Sequence, residues 1–194
     1  MLTDNFHTYS QQFQCILAQA QASDGNNIHM SIEHSLQRMK EVLLSVRAEG
    51  KDVYLLGNGG SAALVAHVQT DLVNKCRFRA HVLQEPSLLT CMSNDYGYPN
   101  AYQELLSRYI RSGDVVLAVS SSGQSANILQ ACDIAQANEA KVITLSGFSA
   151  NNRLRGKGMI NIWLPSDNYG MVEVGHQLIL HYLSDSLADN KNEH

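Results

Sequence analysis

Short apolar runs that end in glycine or serine turns and lead into helical periodicity restrict this chain more than any other feature. In the first, Val53, Tyr54, Leu55 and Leu56 suit a buried strand, Gly57, Asn58, Gly59 and Gly60 make a turn, and Ser61 opens a helical segment. Glycines let the backbone approach a ligand closely, and the free N–H groups at a helix start attract anions. A second unit begins with Val115, Val116, Leu117, Ala118 and Val119. It turns through Ser120, Ser121, Ser122, Gly123, Gln124 and Ser125 and continues at helical period over 126–138. Two hydroxyl-rich cradles thus stand at strand ends. The first lacks both the lysine of a nucleotide P-loop and the full glycine pattern of a dinucleotide turn. Neutral N–H and O–H donors at helix starts suit a phosphate monoester.

Further apolar runs at 79–82, 142–145 and 160–164 read as strands, and several are nearly continuous, as in a parallel sheet covered on both faces. Helical spacing occupies 61–74, 86–94, 100–110, 125–138 and 171–187. The alternation predicts a three-layer α/β/α sandwich with a mainly parallel sheet. Ahead of it, 6–22 and 28–48 carry apolar residues at helical spacing, including Ile32, Leu36, Met39 and Val46, and Ser23, Asp24, Gly25, Asn26 and Asn27 separate them. A chain of 194 residues, 44% hydrophobic, is expected to form one domain over 1–194, with 1–50 as a helical region used in oligomer contacts.

The net charge of −4 argues against a broad nucleic-acid footprint or an anionic membrane surface. The cluster Lys75, Arg77 and Arg79 is local; it solvates a loop, or one member helps hold an anionic substrate. No run approaches the roughly 18 apolar residues of a membrane span, and Met1, Leu2, Thr3, Asp4 and Asn5 lack the pattern of a secretory signal. The expected location is cytoplasmic. Four cysteines without C-x-x-C spacing read as reduced thiols.

His67 and Asp71 lie four apart and share a helix face; Glu173 and His181 lie eight apart and roughly share another, with His176 near that stripe. Two histidines and two carboxylates suit zinc or another divalent ion. A helical His beside Asp is more often an ordinary hydrogen-bonded pair, so spacing alone leaves both readings open.

Several motifs in order resemble the sugar isomerase (SIS) domain, and within it the bacterial phosphoheptose isomerases. They are Gly57 through Ser61, Asn94-Asp95-Tyr96-Gly97, Gly113-Asp114-Val115, Ser120 through Ser125, Pro165-Ser166-Asp167, and the terminal Glu173, His176 and His181. The resemblance covers nearly the whole chain. It implies a homotetramer with active sites shared between subunits and phosphate held by Ser61, Ser120, Ser122 and Ser125, with Ser121 adding a hydroxyl or N–H. Asn58, Gly59 and Gly60 belong to the same substrate site, and Asp95 would bond sugar hydroxyls unless it is simply a turn residue. It further implies one zinc or other divalent ion per site on His67, Asp71, Glu173 and His181. The chain departs from the family at three positions: Asp71 replaces a glutamate, Glu173 replaces a glutamine, and Gly170 stands where an aspartate is frequent.

The expected activity is aldose–ketose isomerisation of a sugar phosphate, sedoheptulose 7-phosphate to D-glycero-D-manno-heptose 7-phosphate, supplying heptose for surface polysaccharide. Asp71 or Glu173 is the candidate base and His181 the opposing acid/base. The alternatives are an isomerase of another sugar phosphate, and a non-catalytic phosphosugar-binding protein similar to the replication-initiator-associating members of the superfamily.

Overall fold

The computed structural model describes residues 5–188; the segment read for a secretory signal lies outside them except for Asn5. Seven strands form one sheet in the order β2-β1-β7-β6-β5-β3-β4. They are β1 (Gln21–Asp24), β2 (His29–Met30), β3 (Asp52–Leu56), β4 (Arg79–Val82), β5 (Val115–Ser120), β6 (Lys141–Ser146) and β7 (Ile160–Trp163). The helices are α1 (Phe6–Ala18), α2 (Ile32–Ala48), α3 (Gly60–Asn74), α4 (Pro86–Tyr96), α5 (Tyr98–Tyr109), α6 (Ala126–Ala137) and α7 (Tyr169–Leu187), with a 3-10 turn at Arg153–Gly156. From β7 to β4 all pairings are parallel, while β1 is antiparallel to both β7 and β2.

The continuous apolar runs have a direct cause. Side chains alternate across a strand, and here both faces are covered. Val53 and Leu55 of β3, with Val115, Leu117 and Val119 of β5, pack with Met39 and Leu43 of α2, Val65 of α3, and Leu180 and Leu183 of α7. Their neighbours Tyr54, Leu56, Val116 and Ala118 face Tyr102 and Leu105 of α5 and Ile128 and Cys132 of α6. The three expected layers are present.

The N-terminal region differs from its helical reading. The first helix stops at Ala18, and Gln21–Asp24 pairs along the open edge of β7, with Ala22 opposite Ile162. Asp24 Oδ1 accepts from the N–H groups of Asn26 and Ile28, both at 2.9 Å, turning the chain back into β2. The polar segment 23–27 is therefore the tip of a hairpin rather than a break between helices. The next helix begins only at Ile32, where the Ser31 hydroxyl accepts from His34 N at 3.1 Å. Of the cysteines, Cys76 and Cys132 are buried and Cys15 and Cys91 exposed.

Candidate active site

A cavity of about 240 Å³ opens at the carboxyl ends of β3 and β5. One wall is the first predicted turn, with Asn58, Gly59, Gly60 and Ser61; the facing wall is the second, with Ser120, Ser121, Ser122 and Ser125. Tyr169 and Glu173 of α7 close it. Gly59, at φ 53, turns the chain into α3, and neither α3 nor α6 carries a side-chain cap at its N-terminus. Two helix starts with free N–H groups therefore border one cavity, the arrangement that attracts an anion.

The hydroxyls are partly organised and partly unpaired. Ser120 Oγ accepts from Gly123 N at 3.2 Å and lies 3.3 Å from Ser125 Oγ. Ser121 Oγ is buried with no partner, a condition that costs about 1–3 kcal/mol and that a ligand oxygen relieves. Clefts of about 510 and 520 Å³ lie elsewhere, but neither contains a residue of these two turns.

Among the described residues, Glu173 is the single charged one lining the serine cavity. Its carboxylate lies against Gly60 so closely that a Cβ there would come within 2.4 Å of Oε1. Only glycine at that position lets the acid rest on the first turn of α3, where the helix dipole favours negative charge. The cavity thus brings together all the substrate residues predicted from the two turns, along with Glu173, expected as a base and metal ligand.

Farther along α3 and α7, donor atoms of His67, Asp71 and His181 lie within 4.8 Å of one another. His181 Nδ1 is 3.1 Å from Asp71 Oδ2, and the two imidazole rings meet edge to face with centroids 5.0 Å apart. Ser184 Oγ also donates to Asp71 Oδ2 at 3.4 Å, while Lys75 Nζ sits 3.0 Å from Oδ1 and 3.6 Å from Asp185. Burial pushes the Asp71 carboxyl upward, but its hydrogen bond to Lys75 and the charges of Lys75, His181 and His67 outweigh this and hold it below the usual carboxylate range. The local basic cluster is therefore not merely loop-solvating: Lys75 neutralises this acid, and Arg79 pairs with Asp52.

The triad fits a borderline divalent ion: two imidazoles and a carboxylate oxygen are ligands zinc takes, with a position left open. Glu173 is not in this group. Eight residues of helix amount to about 12 Å of rise and about 80° of rotation beyond two turns, which directs Glu173 to the start of α3 and His181 to its middle. His176 is also apart. Wholly buried, its Nε2 donates to Ser146 O at 3.1 Å, and burial pushes its pKa down to about 4.

Asp95 is exposed on the last turn of α4, accepts from Asn94 Nδ2 at 2.9 Å, and does not line the cavity. Residues missed by the sequence reading hold the first turn in place. Asn127 exchanges two 2.9 Å hydrogen bonds with Asn58, Tyr98 Oη donates to Asn58 Oδ1 at 2.8 Å, and Tyr102 Oη donates to Gly57 O at 2.8 Å. Asn127 lies two residues past the second serine turn, but nothing in its spacing separates it from an ordinary helix residue. Tyr169, two residues before the predicted final helix, is likewise absent from that reading.

The SIS domain family model matches residues 9–147. The chain is 31% identical over 175 residues to the phosphoheptose isomerase of Colwellia psychrerythraea, covering 86% of this chain and 87% of that one. It is 35% identical over 141 residues to the phosphoheptose isomerase of Edwardsiella ictaluri, covering 70% and 72% respectively. Among solved structures, a phosphoheptose isomerase from Francisella tularensis superposes with a TM-score of 0.81 at 24% identity, covering 94% of each chain.

Proposed function

The chain belongs to the SIS domain family, within it to the phosphoheptose isomerases, and from that premise we propose that it interconverts sedoheptulose 7-phosphate and D-glycero-D-manno-heptose 7-phosphate. The observation that carries this reading is the serine cavity itself: two uncapped helix starts, an unpaired buried hydroxyl and a carboxylate at one end of a donor-rich seam. The phosphate lies among Ser61, Ser120, Ser121, Ser122 and Ser125, with the carbon chain folded so that its reacting end stands beside Glu173.

Isomerisation moves one proton between C1 and C2 and another between the attached oxygens, through an enediol. Glu173, which lines the cavity, takes the carbon-bound proton from one carbon and returns it to the other. Asp71 is the weaker candidate for that step, because Lys75 and His181 already engage its oxygens. It instead orients His181, and the second proton passes between the two neighbouring oxygens of the enediol. A divalent ion such as zinc on His67, Asp71 and His181 would, when bound, polarise the substrate oxygens.

A coupled assay across heptose, hexose and pentose phosphates, with and without added zinc, tests the proposal. The expected result is turnover with the heptose phosphate, and turnover confined to another sugar phosphate would reassign the substrate. Binding without any turnover favours the phosphosugar-binding alternative, for which the capture of Asp71 by Lys75 is the supporting observation.

A further inference from the structure

One wall of the serine cavity is aromatic. Tyr169 lines it and remains 61% exposed. The ring meets Phe148 edge to face, centroids 4.8 Å apart and planes at 75°, a favourable arrangement for aromatic pairs.

Phe148 is itself held firmly. Its backbone is left-handed, with φ 54, which a bulky side chain rarely adopts. The conformation is fixed from two sides: Phe148 N donates to Ser166 O at 2.8 Å, and Trp163 Nε1 donates to Phe148 O at 3.3 Å. Arg155 in turn stacks over Trp163 at 4.8 Å. Outliers of this kind persist where the surrounding structure overdetermines them, and they gather at ligand sites. Here the overdetermined residue is the brace behind Tyr169.

The remaining lining offers hydroxyls, amides and one carboxylate, which serve a phosphate and sugar hydroxyls but give nothing to the C–H face of a sugar. We infer that Tyr169, braced by Phe148, is a specificity-determining residue whose ring stacks on the carbon face of the phosphorylated sugar held by the serine turns. This rests on the proposed function, and it adds how the site separates a sugar phosphate from phosphate alone.

Calorimetry with inorganic phosphate, sedoheptulose 7-phosphate, a hexose 6-phosphate and adenosine monophosphate tests it in the wild type, Tyr169→Ala, Tyr169→Phe and Phe148→Gly. Tyr169→Ala is expected to weaken sugar-phosphate binding by about tenfold while leaving inorganic phosphate within about twofold. Tyr169→Phe restores the affinity, because the ring makes the contact. Phe148→Gly suits the left-handed backbone but removes the brace, and should weaken the same ligands. In turnover, Tyr169→Ala raises KM more than it lowers kcat. The inference is overturned if Tyr169→Ala shifts both ligand classes equally or neither, if the wild type holds sugar phosphates no tighter than inorganic phosphate, or if the ring favours the nucleotide. Tyr169-dependent sugar-phosphate binding without turnover would sink the proposed isomerase and leave this inference standing.

Discussion

Glu173 places a negative charge in the cavity whose neutral donors suit a phosphate dianion. Substrate and side chain therefore repel one another, a cost that a catalytic base accepts in return for proximity to the carbon it serves. Glu173→Gln should separate the two effects: inorganic phosphate binds tighter by about tenfold, about 1.4 kcal/mol, while isomerisation falls by roughly 10²–10⁴-fold, as for a lost general base. Calorimetry beside the coupled assay reads both, and retained turnover would return the base role to Asp71. His176 gives a prediction of another kind. Its folded pKa of about 4 lies below the ordinary histidine value of 6.5, so protonation favours unfolding. The stabilisation linked to its neutral form is complete above the unfolded pKa and is lost as pH falls through the folded one, by up to about 3 kcal/mol. His176→Gln keeps a donor for Ser146 O without titrating, so urea unfolding at several pH values should show a flatter profile between pH 6.5 and 4; an unchanged profile would contradict this account.

At the scale of elements, the hairpin β1–β2 carries the clearest test. If Asp24 organises the turn by accepting from Asn26 and Ile28, Asp24→Ala should destabilise the protein by about 1–2 kcal/mol in chemical denaturation, and a neutral result would mean the sheet edge alone fixes the turn. This is also where the sequence was least legible. Apolar spacing in 6–22 suggests one helix, and only the unpaired edge of β7, a tertiary feature, makes 21–24 a strand. The central strands were legible because burial on both faces leaves continuous apolar runs, and the cradles because glycine and serine have few other reasons to gather at strand ends. The triad was half legible: His67 and Asp71 share a face through simple periodicity, but their meeting with His181 depends on how α3 and α7 pack. Glu173 rests on the start of α3 and not with the triad, which a spacing of eight residues does not reveal, and Lys75, read as loop solvation or a substrate contact, caps α3 four residues from Asp71.

At the scale of the whole molecule, α7 joins the cavity to an uncovered surface. Its outer side carries Val174, Leu178 and Tyr182, exposed by 55%, 48% and 60% and spaced by four. A stripe of this kind beside the active site fits the expected homotetramer with shared sites, and light scattering in dilute buffer should show the tetramer; a stable monomer would contradict it. Among the described residues no helix is long and apolar enough to cross a membrane. The central claim is that the serine cavity and the α3–α7 seam together isomerise a heptose phosphate. Its most direct measurement follows the conversion of sedoheptulose 7-phosphate to the aldose by NMR, with zinc supplied, in the wild type and in His181→Ala. The account predicts conversion by the wild type and its loss in the variant with sugar-phosphate binding retained; a wild type that binds the sugar phosphate and never converts it, or a variant that converts it as well, would contradict the account.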